Sequence, residues 1–550
     1  MPGLVDELNQ RWQSLRNERS SWISHWEEIS RYLSPRAGRY FLSDRNKGWK
    51  RHQAIYDSTA TRALRVLADG IMSGMTSTSR PWFKLTLSAP ELNNQAEVKL
   101  WLTQVTGQIE TVLAQSNAYR VLHGLYEELG AFGSAAALVN DDYQNVIHLH
   151  AFTIGEYAIA ADWKGNVNCL YREFEKTAAA IVAEFGLDHC SPAVQAAYRN
   201  GNLEQWFALR HCVEPRQDRD PAKLDANNMA WRSCYWESAG NGRLLRESGY
   251  RHFPILAPRW ATQGGDVYGN SPGMEALGDI KQLQAQQFRK SQAIDYQANP
   301  PLQIPSSMKN RELEIFPGGV SYYDATGGGI KSAFEVNLNL ETLLLDIQDV
   351  RGRINAAFYS DLFMMLSEQE QRMTATEVAE RHEEKMLMLG PVVERLNNEL
   401  LDPLIENVFG RLVAANLLPP PPAALHGQPL QVEYVSLLAQ AQKAISVNSI
   451  DRFVSSLGQI AAAKPDVLDK FDADEWANVY SDQLGIDPAL IVSGRRLNWI
   501  RRQREQQQLA LQQRESLLQG SQAVKNLGQT STDGTAAAAA MQALGLPRPS

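Results

Sequence analysis

The stretch YGNSPGMEALGDIKQLQAQQFRKSQAIDYQA, Tyr268 to Ala298, decides the architecture. Gly264 to Gly273 is a turn cluster. Within it Ser271-Pro272 reads as a helix start, because a serine oxygen can accept an orphan amide and proline at the first helical position has none to lose. A helix is therefore predicted over Ser271–Ala298, and its 28 residues would reach about 42 Å at 1.5 Å per residue. It carries six glutamines, Gln282, Gln284, Gln286, Gln287, Gln292 and Gln297. So polar a helix has little core of its own and must bridge solvent or lie against other helices. Pro300-Pro301 ends it. Residues 299–339 then hold turn signals at Pro317-Gly318-Gly319 and Gly327-Gly328-Gly329 around short strand-like runs. A second long helix is predicted from Leu340 to Tyr359, with Leu340, Leu343, Leu344, Ile347, Ile354 and Phe358 on one face. Two long helices with a small knob between them make a stalk with a tip.

Upstream, Leu8, Trp12, Leu15, Arg19, Trp22, Trp26, Ile29 and Leu33 recur at steps of four and three, one helical face interrupted by Arg19. A second helix is predicted from Gln53 to Met75, a strand from Arg80-Pro81 onward, and helices over Ala96–Gln115 and Tyr119–Ala137. Between Leu138 and Pro258 the period shortens, and Asn145–His150, Glu156–Ala161, Asn168–Phe174 and Met229–Trp236 read as strands joined by polar turns such as Lys164-Gly165-Asn166. Downstream, Thr374 and Glu377 form a capping box. An arginine-rich helix is predicted from Arg495 to Gln519, ahead of a terminal stretch rich in small residues.

The 550 residues carry 54 Lys+Arg against 62 Asp+Glu, a formal charge of −8. With 44% hydrophobic and 21% charged residues, the composition is that of a folded chain with material for several domains. Gly130–Val139, among the most apolar stretches, is half of the roughly 20 residues a membrane span needs, so no membrane partner is expected. The start lacks a basic segment followed by an apolar one, which argues against a cleaved signal peptide and predicts a chain kept inside the cell that makes it. Cys169, Cys190, Cys212 and Cys234 stand 21, 22 and 22 apart, without the CxxC pairing of a zinc site or the density of a disulfide framework.

The search for catalytic motifs is negative. In Gly327-Gly328-Gly329-Ile330-Lys331-Ser332 the lysine does not follow glycine, so the phosphate loop is absent. His382-Glu383-Glu384-Lys385-Met386 places methionine where a zincin needs its second histidine. Gly70-Ile71-Met72-Ser73-Gly74 misplaces the serine of a nucleophile elbow. Asp141-Asp142 has no converging ligand and reads as a surface turn. No catalytic residue, metal ligand or cofactor site is nominated, and an enzyme is not expected.

Several segments together resemble one family. YGNSPGMEALGDIKQLQ (268–284), NPPLQIP (299–305), PGGVSYYD (317–324), AFYSDLFMML (357–366), MTATEVAER (373–381), LGPVVERL (389–396) and VEYVSLLAQAQK (432–443) look like the head-to-tail connector, or portal, proteins of short-tailed double-stranded DNA bacteriophages. WEEISRYLSPRAGRY (26–40) and YDSTATRALRVLADGIMSGMTSTSRPWF (56–83) resemble the same family. The matches run in order over about 30 to 445.

The resemblance implies an α+β, mainly helical subunit with an α/β wing, a two-helix stem, a small α/β clip and a helical crown, about twelve of which form a ring. The wing would be 1–270, the first stem helix 271–298, the clip 299–339 and the second stem helix 340–359. The channel loop would be 360–374, wing return helices and crown base 375–465, the crown 466–520 and a flexible tail 521–550. Implied partners are duplex DNA, a terminase motor, major capsid and scaffolding proteins and a tail adaptor, with residence at a capsid vertex of the virion after assembly in the host cytoplasm. The glutamines of the first stem helix would pair with adjacent subunits. A strongly acidic ring should repel DNA overall and let it slide. Candidates for local contact with it are Lys281, Arg289, Lys290, Arg351, Arg353 and Arg372. Phe363, Met364, Met365 and Leu366 would form the channel loop, and Lys309, Arg311, Tyr322 and Tyr323 would meet motor or tail. A tail or adaptor structural protein, and less readily a hydrolase, stand as alternatives.

Overall fold

A computed structural model describes residues 3–42, 52–93, 95–223, 225–240, 242–298, 302–303, 331–332, 340–367, 388–425, 427–435, 453–461, 464–474, 476–477, 492 and 494–530. They fall into two units, 1–445 and 446–550. The architecture is mixed α+β and mostly helical.

The first unit opens with α1 (Leu4–Tyr32), whose buried face holds Leu8, Trp12, Leu15, Trp26 and Ile29. Arg19 does not interrupt that face. It is buried with the rest, because its guanidinium donates to the Tyr157 carbonyl while its methylenes lie among apolar neighbours. A short 3-10 turn at His52–Ala54 and the helix α2 (Thr59–Met75) replace the single helix expected from Gln53. The break sits where the Asp57 carboxylate accepts from the amide and hydroxyl of Thr59, a local alternative to helical bonding.

After β1 (Phe83–Leu87) come α3 (Pro90–Asn93), α4 (Ala96–Gln115) and α5 (Ala118–Phe132). The helix expected to run to Ala137 stops five residues earlier, because Gly133 adopts φ 76°, the left-handed cap that ends helices, and β2 (Ala136–Asp142) begins. It pairs antiparallel with β3 (Val146–Phe152) on one side.

A five-stranded antiparallel sheet follows, β4 (Tyr157–Ala161), β5 (Val167–Thr177), β6 (Trp206–Pro215), β7 (Trp231–Glu237) and β8 (Leu244–Tyr250) in chain order. The helices α6 (Ala178–Phe185) and α7 (Pro192–Arg199) interrupt it. Strand alternation gives the sheet two buried faces. Ala158, Cys169, Tyr171, Cys212, Cys234 and Trp236 pack with the start of α1, while Phe174, Leu209 and Tyr235 pack with α6 and α7. His211 and Cys212 thus point to opposite faces, and the imidazole stacks on Tyr235 at 3.9 Å.

The short strand β9 (Ile255–Leu256) returns to the other side of β2. The stretch that opened the sequence reading forms a first turn, α8 (Pro272–Glu275), and then α9 (Leu277–Ala298). Of residues 299–339, the described pairs Leu302–Gln303 (β10) and Lys331–Ser332 (β11) form an antiparallel ladder. Then come α10 (Leu340–Ala357) and α11 (Ser360–Ser367), so the first part of the expected loop 360–374 is helical. Residues 388–396 form α12, which passes through a π turn at Asn397–Leu401 into α13 (Asp402–Ala414). β12 (Leu430–Tyr434) pairs with β1, tying the late chain to the early one. The capping box at Thr374 lies outside the described residues.

In the second unit a helix over 453–461 (α14) is followed by α15 (Gly494–Thr530). The latter outruns the expected Arg495–Gln519. Arg501 grips Asp474 through two bonds of 2.5 and 2.6 Å.

Candidate functional site

The root of α9 is built by backbone proximity. Tyr268 is buried, stands edge-on to Trp26 at 5.1 Å and accepts a hydrogen bond from the Ile159 amide. Gly269 crosses Gly133 so closely that a methyl group on either would overlap the other's carbonyl. The Ser271 hydroxyl accepts from the Met274 amide at 3.0 Å and donates to the Ala131 carbonyl at 2.8 Å. It therefore caps its own helix and bolts it to the end of α5, with Pro272 at the first position as expected.

About three and a half turns past Ser271, α9 meets the approach to α2 and the neighbouring α10 in a polar knot. Gln284 is buried; its carbonyl accepts from the amides of Tyr56 and Asp57, and its NH2 donates to the Asp57 carbonyl at 2.9 Å. The Asp57 carboxylate accepts from Thr59, from Gln287 at 2.9 Å and from Arg351 at 2.6 and 3.1 Å. Burial alone would raise its pKa, but the bonds from Thr59 and Arg351 outweigh it and hold the group below its usual value. Gln286 donates to Asp346 across the α9–α10 pair. Gln284 and Gln287 thus find their partners within one chain, and Gln286 does so through its amide nitrogen, its buried oxygen having no partner among the described residues. The expectation that the glutamine helix lacks a private core fails at its inner half, where Leu277, Ile280 and Leu283 join Ile347, Val350, Ile354 and Phe358 in the main core.

The nominated cations divide accordingly. Lys281 pairs with Glu28, Arg351 with Asp57, and Arg353 with Asp279 at 3.1 Å and also with Asp349. Arg289 is exposed and Lys290 half-buried, and neither forms an ion pair among the described residues. Phe363 is buried on α2, where a methyl group at Gly70 would overlap its ring, while Met364 stays half exposed. Lys309, Arg311, Tyr322, Tyr323 and Arg372 lie outside the described residues, as do the side chains of Met365 and Leu366. Sequence reasoning passed over Asp57 and gave Gln284, with the other glutamines, to an adjacent subunit, whereas its partners lie in the same chain. The Asp-Ser-Thr run at 57–59 carries the polar signature of a helix start; nothing in the sequence pairs it with a glutamine 227 residues later.

These contacts hold helices together and prepare no bond-making. Among the described residues no group of three or more His, Cys, Asp and Glu side chains could hold a metal ion. The four cysteines are buried and unbridged, and burial pushes the thiols of Cys169 and Cys190 up to about 12 and about 11. Asp141 is taken by Arg411 at 2.7 Å. The Gly70–Gly74 run lies inside α2.

Residues 5–492 match the family model of the bacteriophage head to tail connecting protein. The chain is 60% identical over 529 residues to a probable portal protein of Bordetella phage BPP-1, covering 96% of this chain and 95% of that one. It is 43% identical over 549 residues to the portal protein of Salmonella phage epsilon15, covering 99% of each. Among solved structures, a chain in the neck of an empty gene transfer agent particle aligns with a TM-score of 0.37 at 11% identity, covering 80% of this chain and 95% of that one. The chain belongs to the bacteriophage head-to-tail connecting protein family. It serves as a phage portal, a structural component of the virion and not an enzyme.

Proposed function

We propose that about twelve copies of this chain close into a ring that conducts the genome during packaging and ejection. The observation that carries this reading is the contrast along α9 and α10. Their inner ends are anchored in the chain's own core, yet beyond the polar knot Phe288, Ile294, Leu344 and Leu345 remain exposed. Apolar side chains in that number on two adjoining helices mark a surface meant to be covered, and copies of the same chain around a closed axis supply the cover.

In this reading residues 1–270 form the wing, 375–465 its return helices and the base of the crown, and α9 and α10 the stem. Residues 299–339 are the clip, 360–374 the channel segment, 466–520 the crown and 521–550 a tail. Arg289 and Lys290 meet phosphates transiently, together with Arg372. Lys281, Arg351 and Arg353 serve chiefly to brace the subunit, since their charges are already matched by carboxylates. Lys309, Arg311, Tyr322 and Tyr323 at the clip face a terminase motor during packaging and a tail adaptor afterwards, while major capsid and scaffolding proteins surround the wing. The motor's nucleotide hydrolysis belongs to another protein.

Substitution of Leu344 and Leu345 by glutamate tests the ring. Light scattering is expected to report monomers with unchanged circular dichroism, where the parent chain reports a large oligomer; an oligomer of parental size would remove the basis for this interface.

A further inference from the structure

The helix α2 runs beside the bent pair α10–α11 and is fastened to it on both sides of the bend. Before the bend, Asp57 at the head of α2 holds Arg351 of α10. After it, Gly70 seats the ring of Phe363, the contact that leaves no room for a methyl group. Thirteen positions separate Asp57, just before α2, from Gly70 on it, and twelve separate Arg351 from Phe363 on α10–α11. At helical rise the stretch from Asp57 to Gly70 is about 20 Å, while the stretch from Arg351 to Phe363 crosses the bend.

The bend itself carries features that a free chain would relax. Tyr359 has φ 53°, the left-handed region that a bulky residue rarely occupies. The hydroxyl of Ser360 is buried without a hydrogen-bond partner among the described residues. Such features persist where the surroundings over-determine them, and α2 is the element that spans them.

We propose that α2 is a splint that sets the position of α11 relative to α10, with Asp57 and Gly70 as its two positioning residues. Loosening the Asp57 anchor therefore frees α11 some 20 Å away, through α2 rather than along the broken backbone of residues 358–360. The inference concerns the fold of one chain and stands whether or not α11 faces a channel, so its failure and that of the portal reading are separate events.

Hydrogen exchange with mass spectrometry on the full chain tests it. With Asp57→Asn, amides of 360–367 should exchange about tenfold faster, while those of β5, β6 and β7 keep their parental protection. Phe363→Ala empties the seat and should accelerate the same amides; adding Asp57→Asn to it should then change them little further, a coupling that two independent structural defects would not give. Arg351→Met removes only the α10 side of the anchor, keeps the Thr59 and Gln287 bonds to Asp57, and should reproduce the Asp57→Asn result even where that variant fails to fold. Faster exchange confined to α9 and α10, additive effects in the double variant, or a uniform rise that includes β5–β7 would each overturn the splint.

Discussion

Glu128 is a carboxylic acid with almost no water. Its oxygens accept from the Thr153 hydroxyl at 2.6 Å and the Ile154 amide at 3.0 Å, yet burial dominates and pushes its pKa from 4.5 up to about 7. Between those values the folded chain keeps a proton that the unfolded chain gives up. Stability is therefore greatest below about pH 4.5 for this group and falls as pH rises through 7, by roughly 3 kcal/mol in all. Glu156, raised in the same way beside Arg172, adds its own slope. Thermal unfolding across pH 5 to 8 should thus show a decline that Glu128→Gln flattens without levelling; identical slopes in parent and variant would contradict it. At the Gly133–Gly269 crossing, Gly269→Ala should cost about 3 kcal/mol in urea unfolding. Gly265→Ala, with open space around it, should be nearly neutral. What the sequence made legible at this scale was chemistry between neighbours in the chain, such as the Ser271 cap. Glu128 with Thr153, Gln284 with Asp57 and Gly70 with Phe363 were not legible, because each depends on a packing partner far along the chain.

At the scale of elements, periodicity named most helices and strands correctly, since a stripe of apolar residues records which face will be buried. It failed where one residue's conformation overruled the pattern. Gly133 ended α5 early, and the Asp57–Thr59 turn split the second helix. Arg19 looked like a gap in a buried stripe because a sequence does not disclose the Tyr157 carbonyl waiting for its guanidinium. The glutamine helix was read as having little core of its own and as pairing with adjacent subunits, yet its inner half buries Leu277, Ile280 and Leu283 and finds polar partners at Asp57 and on α10. Replacing Gln284 by leucine should expose this. The amides of Tyr56 and Asp57 would lose their acceptor, at a cost of about 2 to 3 kcal/mol, measurable as a lower urea midpoint, whereas the same change at the exposed Gln292 should leave the midpoint where it is. Equal effects at both positions would deny the polar knot its role.

For the whole molecule, the absence of any nucleotide, metal or nucleophile motif directed attention away from catalysis, and the family match agrees with that direction. Charge points the same way. A conduit must let a polyanion pass, and a chain at −8 offers little non-specific affinity for phosphate. Reversing Arg289 and Lys290 to glutamate should leave oligomer size unchanged and reduce packaged DNA in assembled particles; unchanged DNA content would remove these two residues from the channel wall. The most direct test of the central claim is electron microscopy of the purified full-length protein. Hollow rings of about twelve lobes are expected, with α9 and α10 turned toward the central opening. Monodisperse single subunits under assembly conditions, or closed particles with no opening, would contradict it.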